Sequence, residues 1–185
     1  TCERGYFYPS NGSFFFSGKV HYTKADLDVK TDTLQFAYEQ QKLYFLGQTQ
    51  MRNDSTQIYC RKGWYDVQKE GGALYNHAEI YQKNQIIKGD TLYINTKSND
   101  YEGRGTVYFK DVDRQIALLG QRAVFSNTQH LAFVTGNSLG LMKYQNDTLY
   151  VHADTLHLKR DSLNRSEYLV ANRDFRFLHP KLQGF

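Results

Sequence analysis

One interval organises this chain, and it is 29 residues long. Gly18, Gly47, Asn76 and Gly105 are spaced by it, as are Val29, Ile58, Ile87 and Ile116, and Tyr22, Met51, Ile80 and Phe109. Doubled to 58, it carries Cys2, Gly5 and Tyr6 onto Cys60, Gly63 and Trp64, and Asp32-Thr33-Leu34 onto Asp90-Thr91-Leu92. Several columns in one phase are the signature of a fold that stacks a single supersecondary unit. The phase loosens after about residue 125. Asp154-Thr155-Leu156 lies 64 rather than 58 residues after the Asp90 triplet. That implies an insertion of about six residues, with Asn146-Asp147-Thr148-Leu149 as part of it.

Each unit reads as two strands. The first alternates: Phe16, Gly18, Val20 and Tyr22 face one way, and Phe15, Ser17, Lys19 and His21 the other. Period-two alternation marks a strand with one apolar face. The pattern places strands over 14–22, 43–51, 72–80 and 103–109. The second strand of each unit begins at Val29, Ile58, Ile87 or Ile116, and its apolar parity then shifts. The shift falls at Asp32-Thr33, Lys62-Gly63, Asp90-Thr91 and Leu119-Gly120. A parity shift at a fixed place predicts a bulge or a bend around a corner. No segment holds a 3.6-residue apolar period for three turns, so helix should be near absent.

Composition agrees with strands. Tyr is 15 and Phe 12, residues that suit pleated, half-buried surfaces. Pro is 2, where ~5% usage would give about nine, so the ladders run uninterrupted. Net charge is only +4, without the dense basic stripe of a nucleic-acid binder. No apolar stretch approaches the length of a membrane-spanning helix. A mean hydropathy of −0.66 and the fixed phase argue against a transmembrane barrel. The chain therefore reads as all-β, with two facing sheets that grow along one axis, each unit burying its apolar face against the other sheet and its neighbours. The glycine column Gly18, Gly47, Gly105 is placed on the inward face. It serves either tight packing of the sheets or a ligand groove.

The pattern Asp-Thr-Leu-x-aromatic, followed about ten residues later by aromatic-x-Gly, resembles the OstA-like (organic solvent tolerance) family of lipopolysaccharide-transport proteins, most nearly its Bacteroidetes members. Here it is Asp32-Thr33-Leu34 and Phe36 with Phe45 and Gly47, then Asp90-Thr91-Leu92 and Ile94 with Gly105, then Asp154-Thr155-Leu156. The resemblance spans about residues 14–177. It implies an open, twisted β-jellyroll, solenoid-like, whose apolar groove shields the acyl chains of lipid A. It also implies a periplasmic location in a Gram-negative envelope, lipopolysaccharide or a related glycolipid as ligand, other transport proteins as partners, and head-to-tail stacking into a bridge. On that reading the inward column Phe16, Val20, Tyr22, Phe45, Met51, Leu74, Ala78, Ile80, Val107 and Phe109 lines the groove. Lys or Arg at its rim would meet lipid phosphates.

The family brings no catalytic residues, and the sequence offers none of its own. The six histidines form no metal-binding spacing. Gly71-Gly72 and Gly103-Arg104-Gly105 lack the Gly-Lys-Ser/Thr of a phosphate loop. No enzyme activity, cofactor, metal or nucleic-acid partner is expected. The alternative is an adhesin or scaffold module of the envelope. A polysaccharide-active β-helix enzyme ranks behind both. Recurring aspartates such as Asp32 and Asp90 are more often corner devices that bond backbone N–H groups.

Three further expectations follow. The 185 residues form one domain, a segment of a longer protein. Cys2 and Cys60, two units apart, lie too far from one another for a disulfide and stay free thiols. The edges of the stack are uncapped, and residues 159–185 carry six Lys/Arg against three acids. Such an end favours association between chains through edge strands.

Overall fold

The computed structural model describes residues 1–24, 27–126, 131–144, 147–160, 167–180 and 182–184. These form sixteen strands and, among the described residues, no helix. In chain order they are β1 (Arg4–Tyr8), β2 (Ser13–Lys24), β3 (Leu27–Ala37), β4 (Lys42–Phe45), β5 (Thr49–Arg52), β6 (Thr56–Cys60), β7 (Lys62–Asp66) and β8 (Gly71–Gln82). Then come β9 (Gln85–Asn95), β10 (Asp100–Asp111), β11 (Ile116–Ser126), β12 (Leu131–Tyr144), β13 (Asp147–Arg160), β14 (Glu167–Asn172), β15 (Arg176–His179) and β16 (Leu182–Gly184). All pair antiparallel in one continuous sheet. Sequential hairpins are spatial neighbours, so the 29-residue unit is one up-and-down pair added to the stack. Three of the four expected first strands are found whole. The second, 43–51, is broken at Leu46–Gln48 into β4 and β5, and its partner breaks at Arg61 into β6 and β7.

The single sheet makes two facing layers by folding across its strands. Gly103 and Val107 are four residues apart on β10, about 13 Å along a flat strand. A methyl group on Gly103 would nevertheless lie 2.9 Å from Val107 Cγ1. At this corner the two strands of a hairpin spend different numbers of residues. Phe16 opposes Leu34 and Val20 opposes Thr31, so β2 takes four residues where β3 takes three. The extra residue is a bulge, and it recurs in β8, β10 and β12. It needs left-handed backbone, supplied by Gly18 and Lys19, Asn76 and His77, Gly105, and Gly136 and Asn137. Glycine adopts that conformation without penalty, and asparagine is the side chain that tolerates it best. The parity shift read in the sequence is the other half of the same corner. Buried residues step from Val29 and Thr31 to Leu34, and from Ile87 and Gly89 to Leu92 and Ile94.

The glycine column is therefore not an inward one. Gly18, Gly47 and Gly105 sit at the corner beneath a neighbouring side chain: Glu3, Asp32 and Asp90 respectively. That side chain also explains the Asp-Thr-Leu motif. Asp32 Oδ2 accepts the Gln48 N–H at 3.1 Å, and Asp90 Oδ2 accepts the Thr106 N–H at 2.9 Å. Each carboxylate satisfies the amide that the corner takes out of the ladder. The lost phase has two sources rather than one insertion at 146–149. The β10–β11 turn is two residues longer than the β8–β9 turn, and β12 and β13 each run two residues further past the corner than β8 and β9. Both cysteines are free, Cys2 exposed and Cys60 buried.

Candidate binding cleft

The fold gives each strand two inner segments, one in each wall of the folded sheet. The first wall holds β1, β4, β7, β14 and the adjoining halves of the long strands, including Phe16, Leu34, Leu92 and Tyr101. The second holds β5, β6, β15 and β16 with the other halves, including Val20, Met51, Ile80 and Phe109. Their inner side chains form one apolar cluster from Val20 to Leu158.

All ten residues expected to line a groove belong to this interior. Val20, Phe45, Met51, Leu74, Ala78, Ile80, Val107 and Phe109 are each at most 4% exposed, and Phe16 and Tyr22 pack against them half-buried. They pack against one another rather than line an open trough along the whole column. The cause lies at the corners. Gly89 and Gly103 are the inner residues there, and with no side chains between them the walls close until Leu92 and Val107 fill the space.

Among the described residues the interior opens beside the second unit. A cleft of about 340 Å³ lies between the free margins of the walls at the second and third units. Tyr65, Val67, Ile94 and Tyr101 supply its first wall, and Leu27, Met51 and Ile58 its second. Lys24, Arg52, Asn53, Thr56, Glu70, Thr96 and Asn99 form a polar lip. Of the ten expected residues only Met51 reaches it. Tyr22, Ile80 and Phe109 lie level with Met51 but outside the cleft, whose residues come mostly from strand ends and from second strands of the repeat. Ile58, the second member of the Val29 column, is the one repeat signal that could have found it.

The lip is orderly. Tyr65 Oη and Thr96 Oγ1 are 2.8 Å apart, and Thr96 donates both its N–H and its hydroxyl to the Glu70 carbonyl at 2.8 Å. Arg52 Nε lies 3.4 Å from Asp28 Oδ1, and His21 Nε2 2.7 Å from Asp28 Oδ2. The His21 hydrogen bond first, with Arg52 and other cations adding, holds the Asp28 carboxyl below its usual range. Lys24, the other cation of this lip, forms no ion pair among the described residues. At the β10 end of the cleft Tyr101 Oη donates to Gln82 Oε1 at 3.0 Å, and Gln82 Nε2 donates to Asn99 Oδ1 at 3.3 Å. Burial first, then the charge of Asp100, pushes the Tyr101 phenol up to about 12, so it stays a donor at any physiological pH. Behind this contact the Phe109 and Phe125 rings stack across the walls at 4.5 Å.

Among the described residues no cluster of His, Cys, Asp or Glu could hold a metal ion. The chemistry on offer is apolar enclosure with a cationic lip.

Comparison with known proteins agrees with this architecture. No curated protein sequence matches the chain. Among solved structures, it superposes on LptH from Pseudomonas aeruginosa, described as the LptA homologous periplasmic component of the lipopolysaccharide transport device. The TM-score is 0.53 at 13% identity, over 56% of this chain and 79% of that one. At that identity the likeness establishes the β-jellyroll fold. Residues 6–100, about half the chain and the part that supplies every cleft residue but Tyr101, match the family described as LptA/(LptD N-terminal domain) LPS transport protein, and the chain belongs to that family.

Proposed function

We propose that this chain is a non-catalytic carrier module of the Gram-negative periplasm that shields acyl chains of lipopolysaccharide, or a related glycolipid, on the way to the outer membrane. The observation that carries the reading is the cleft. Its floor is the apolar interior itself, and every residue that lines it but Tyr101 lies in the stretch that matches the transport family. Lys24 and Arg52 at its lip suit the phosphates of such a lipid, because an ammonium or guanidinium pairs strongly with phosphate oxygens. Other transport proteins of the envelope, and further copies of this chain joined head to tail, are its partners on this reading. The exposed aromatic edge strand β1, with Tyr6, Phe7 and Tyr8 each about half exposed, supplies one joining surface.

The test is site-specific photo-crosslinking in the native envelope. A photoreactive residue at Ile58 or Ile94 should capture a glycolipid, and one at Tyr44 on the outer face should not. Capture at none of these positions, with normal protein levels, would reject the carrier role. A scaffold module is the second reading, and the side chains that fill the interior beside the corners favour it. It predicts that outcome.

A further inference from the structure

The carrier reading leaves open how much lipid the cleft takes, and its dimensions bear on that. A water molecule occupies roughly 30 Å³ of the liquid, and a methylene is about the same size. A cleft of about 340 Å³ therefore holds on the order of eleven methylenes. That is one acyl chain, not the several of a whole lipid A. The boundary of this space is specific. Gln82 ends β8 in the second wall, while Asn99 in the preceding turn and Tyr101 near the start of β10 stand in the first, and Gln82 is a sheet partner of neither. Their hydrogen bonds at 3.0 and 3.3 Å tie the two walls together at the β10 end of the cleft. The stacked Phe109 and Phe125 lie directly behind.

We infer that the cleft is a single-chain site whose length limit is set by the Gln82–Tyr101–Asn99 latch. The inference rests on the carrier reading and adds to it a specificity determinant. An alkyl chain that enters between Met51 and Ile94 runs along the cleft toward β10 until it meets the latch. A longer chain must leave its end in water or break two hydrogen bonds and unstack two rings. Affinity should therefore climb with length and then stop climbing. Below the limit each methylene is removed from water, which lowers Kd about fourfold.

The experiment uses monoalkyl phosphates from about eight to about sixteen carbons, below their micelle concentrations, in competition with a fluorescent fatty-acid probe. For the wild-type chain Kd should fall about fourfold per methylene up to about twelve carbons and level off beyond. Gln82→Ala and Tyr101→Phe, each checked by its unfolding curve, should move the plateau outward by about two carbons or more. Tyr101→Phe keeps the ring and removes only the hydroxyl, so it serves if the alanine variant fails to fold. An affinity that keeps rising in the wild type, or a plateau unmoved in a folded variant, overturns the length limit while the carrier reading stands. Failure of the wild-type chain to bind any alkyl phosphate overturns both.

Discussion

The second unit and the units after it are copies of one pattern, yet they turn the corner differently. From Gly71 to Arg160 each of the strands β8 to β13 crosses from one wall to the other without a break. In the second unit the chain crosses as four short strands, β4 to β7. The inner positions beside the corner differ as well. Phe45 and Cys60 stand where β10 and β9 have Gly103 and Gly89. Side chains at the vertex hold the two walls apart, and glycines let them close. The margin beside the second unit is the one that opens into the cleft. In this fold a function that needs space is specified by bulk near the corner as much as by the residues at the mouth.

The largest expected effect contrasts the two regions directly. Leu92 is fully buried between the sealed walls, and Leu92→Ala should cost about 2–5 kcal/mol by transfer and cavity terms. Leu27 is half-buried at the cleft, and Leu27→Ala should cost under about 1.5 kcal/mol. Urea unfolding of both variants measures the gap, and equal losses would mean that the two regions are packed alike.

Next in size is the corner itself. Gly105 has φ +86°, and an added methyl would run into the Asp90 side chain. Gly105→Ala should lose about 1–3 kcal/mol. Asp90→Ala, which leaves only the Thr106 N–H without its acceptor at an exposed site, should lose about 1 kcal/mol. Thermal unfolding of the pair ranks the two effects, and the opposite order would show that the carboxylate, not the backbone, sets the corner.

Thiol chemistry gives a kinetic test of the early units. Burial pushes the Cys60 thiol up to about 12, and only the thiolate reacts. At pH 8 a maleimide should label exposed Cys2 promptly and Cys60 only on unfolding. If an acyl ligand spreads the walls, labelling of Cys60 should quicken on its addition, whereas Cys2 keeps its rate.

The smallest effect belongs to the outer face. The Tyr81 hydroxyl, together with Lys88 Nζ at 3.1 Å, holds the Glu79 carboxyl below its usual range despite some desolvation. A lowered carboxylate stabilises the fold at neutral pH, and that contribution is lost as pH falls through its folded-state value. Glu79→Gln should thus cost under about 1 kcal/mol at pH 7, since the pair is exposed. The difference from wild type should vanish in acid. A difference that persists below the carboxylate range would assign it to packing instead.

Much of the fold was legible because antiparallel strands write their burial into the chain with period two, and a stacked fold writes its unit with period 29. The parity shifts at Asp32-Thr33 and Asp90-Thr91 marked the corner to within a residue. The recurring aspartates were rightly read as corner devices, because their role is local: a carboxylate meets an amide one hairpin away. The break at Leu46–Gln48 was not legible, since its sequence keeps the phase of its intact copies. Nor was the direction of the glycines. Alternation places Gly18 and Gly105 on the apolar side, but a left-handed bulge turns them out of that series. The site was the least legible part. The ten residues expected to line a groove share one packed interior, and nine of them lie away from the cleft.

The sequence by itself determined which residues face inward, where each strand bends, and that the chain is a stack with an apolar interior. Those properties depend on spacing along the chain and on near neighbours. Whether that interior is packed or open was decided only by tertiary structure. It depends on the distance between two walls, which is set jointly by side chains such as Phe45, Cys60, Gly89 and Gly103 from different strands. No single strand contains that distance, so no pattern within one strand could report it.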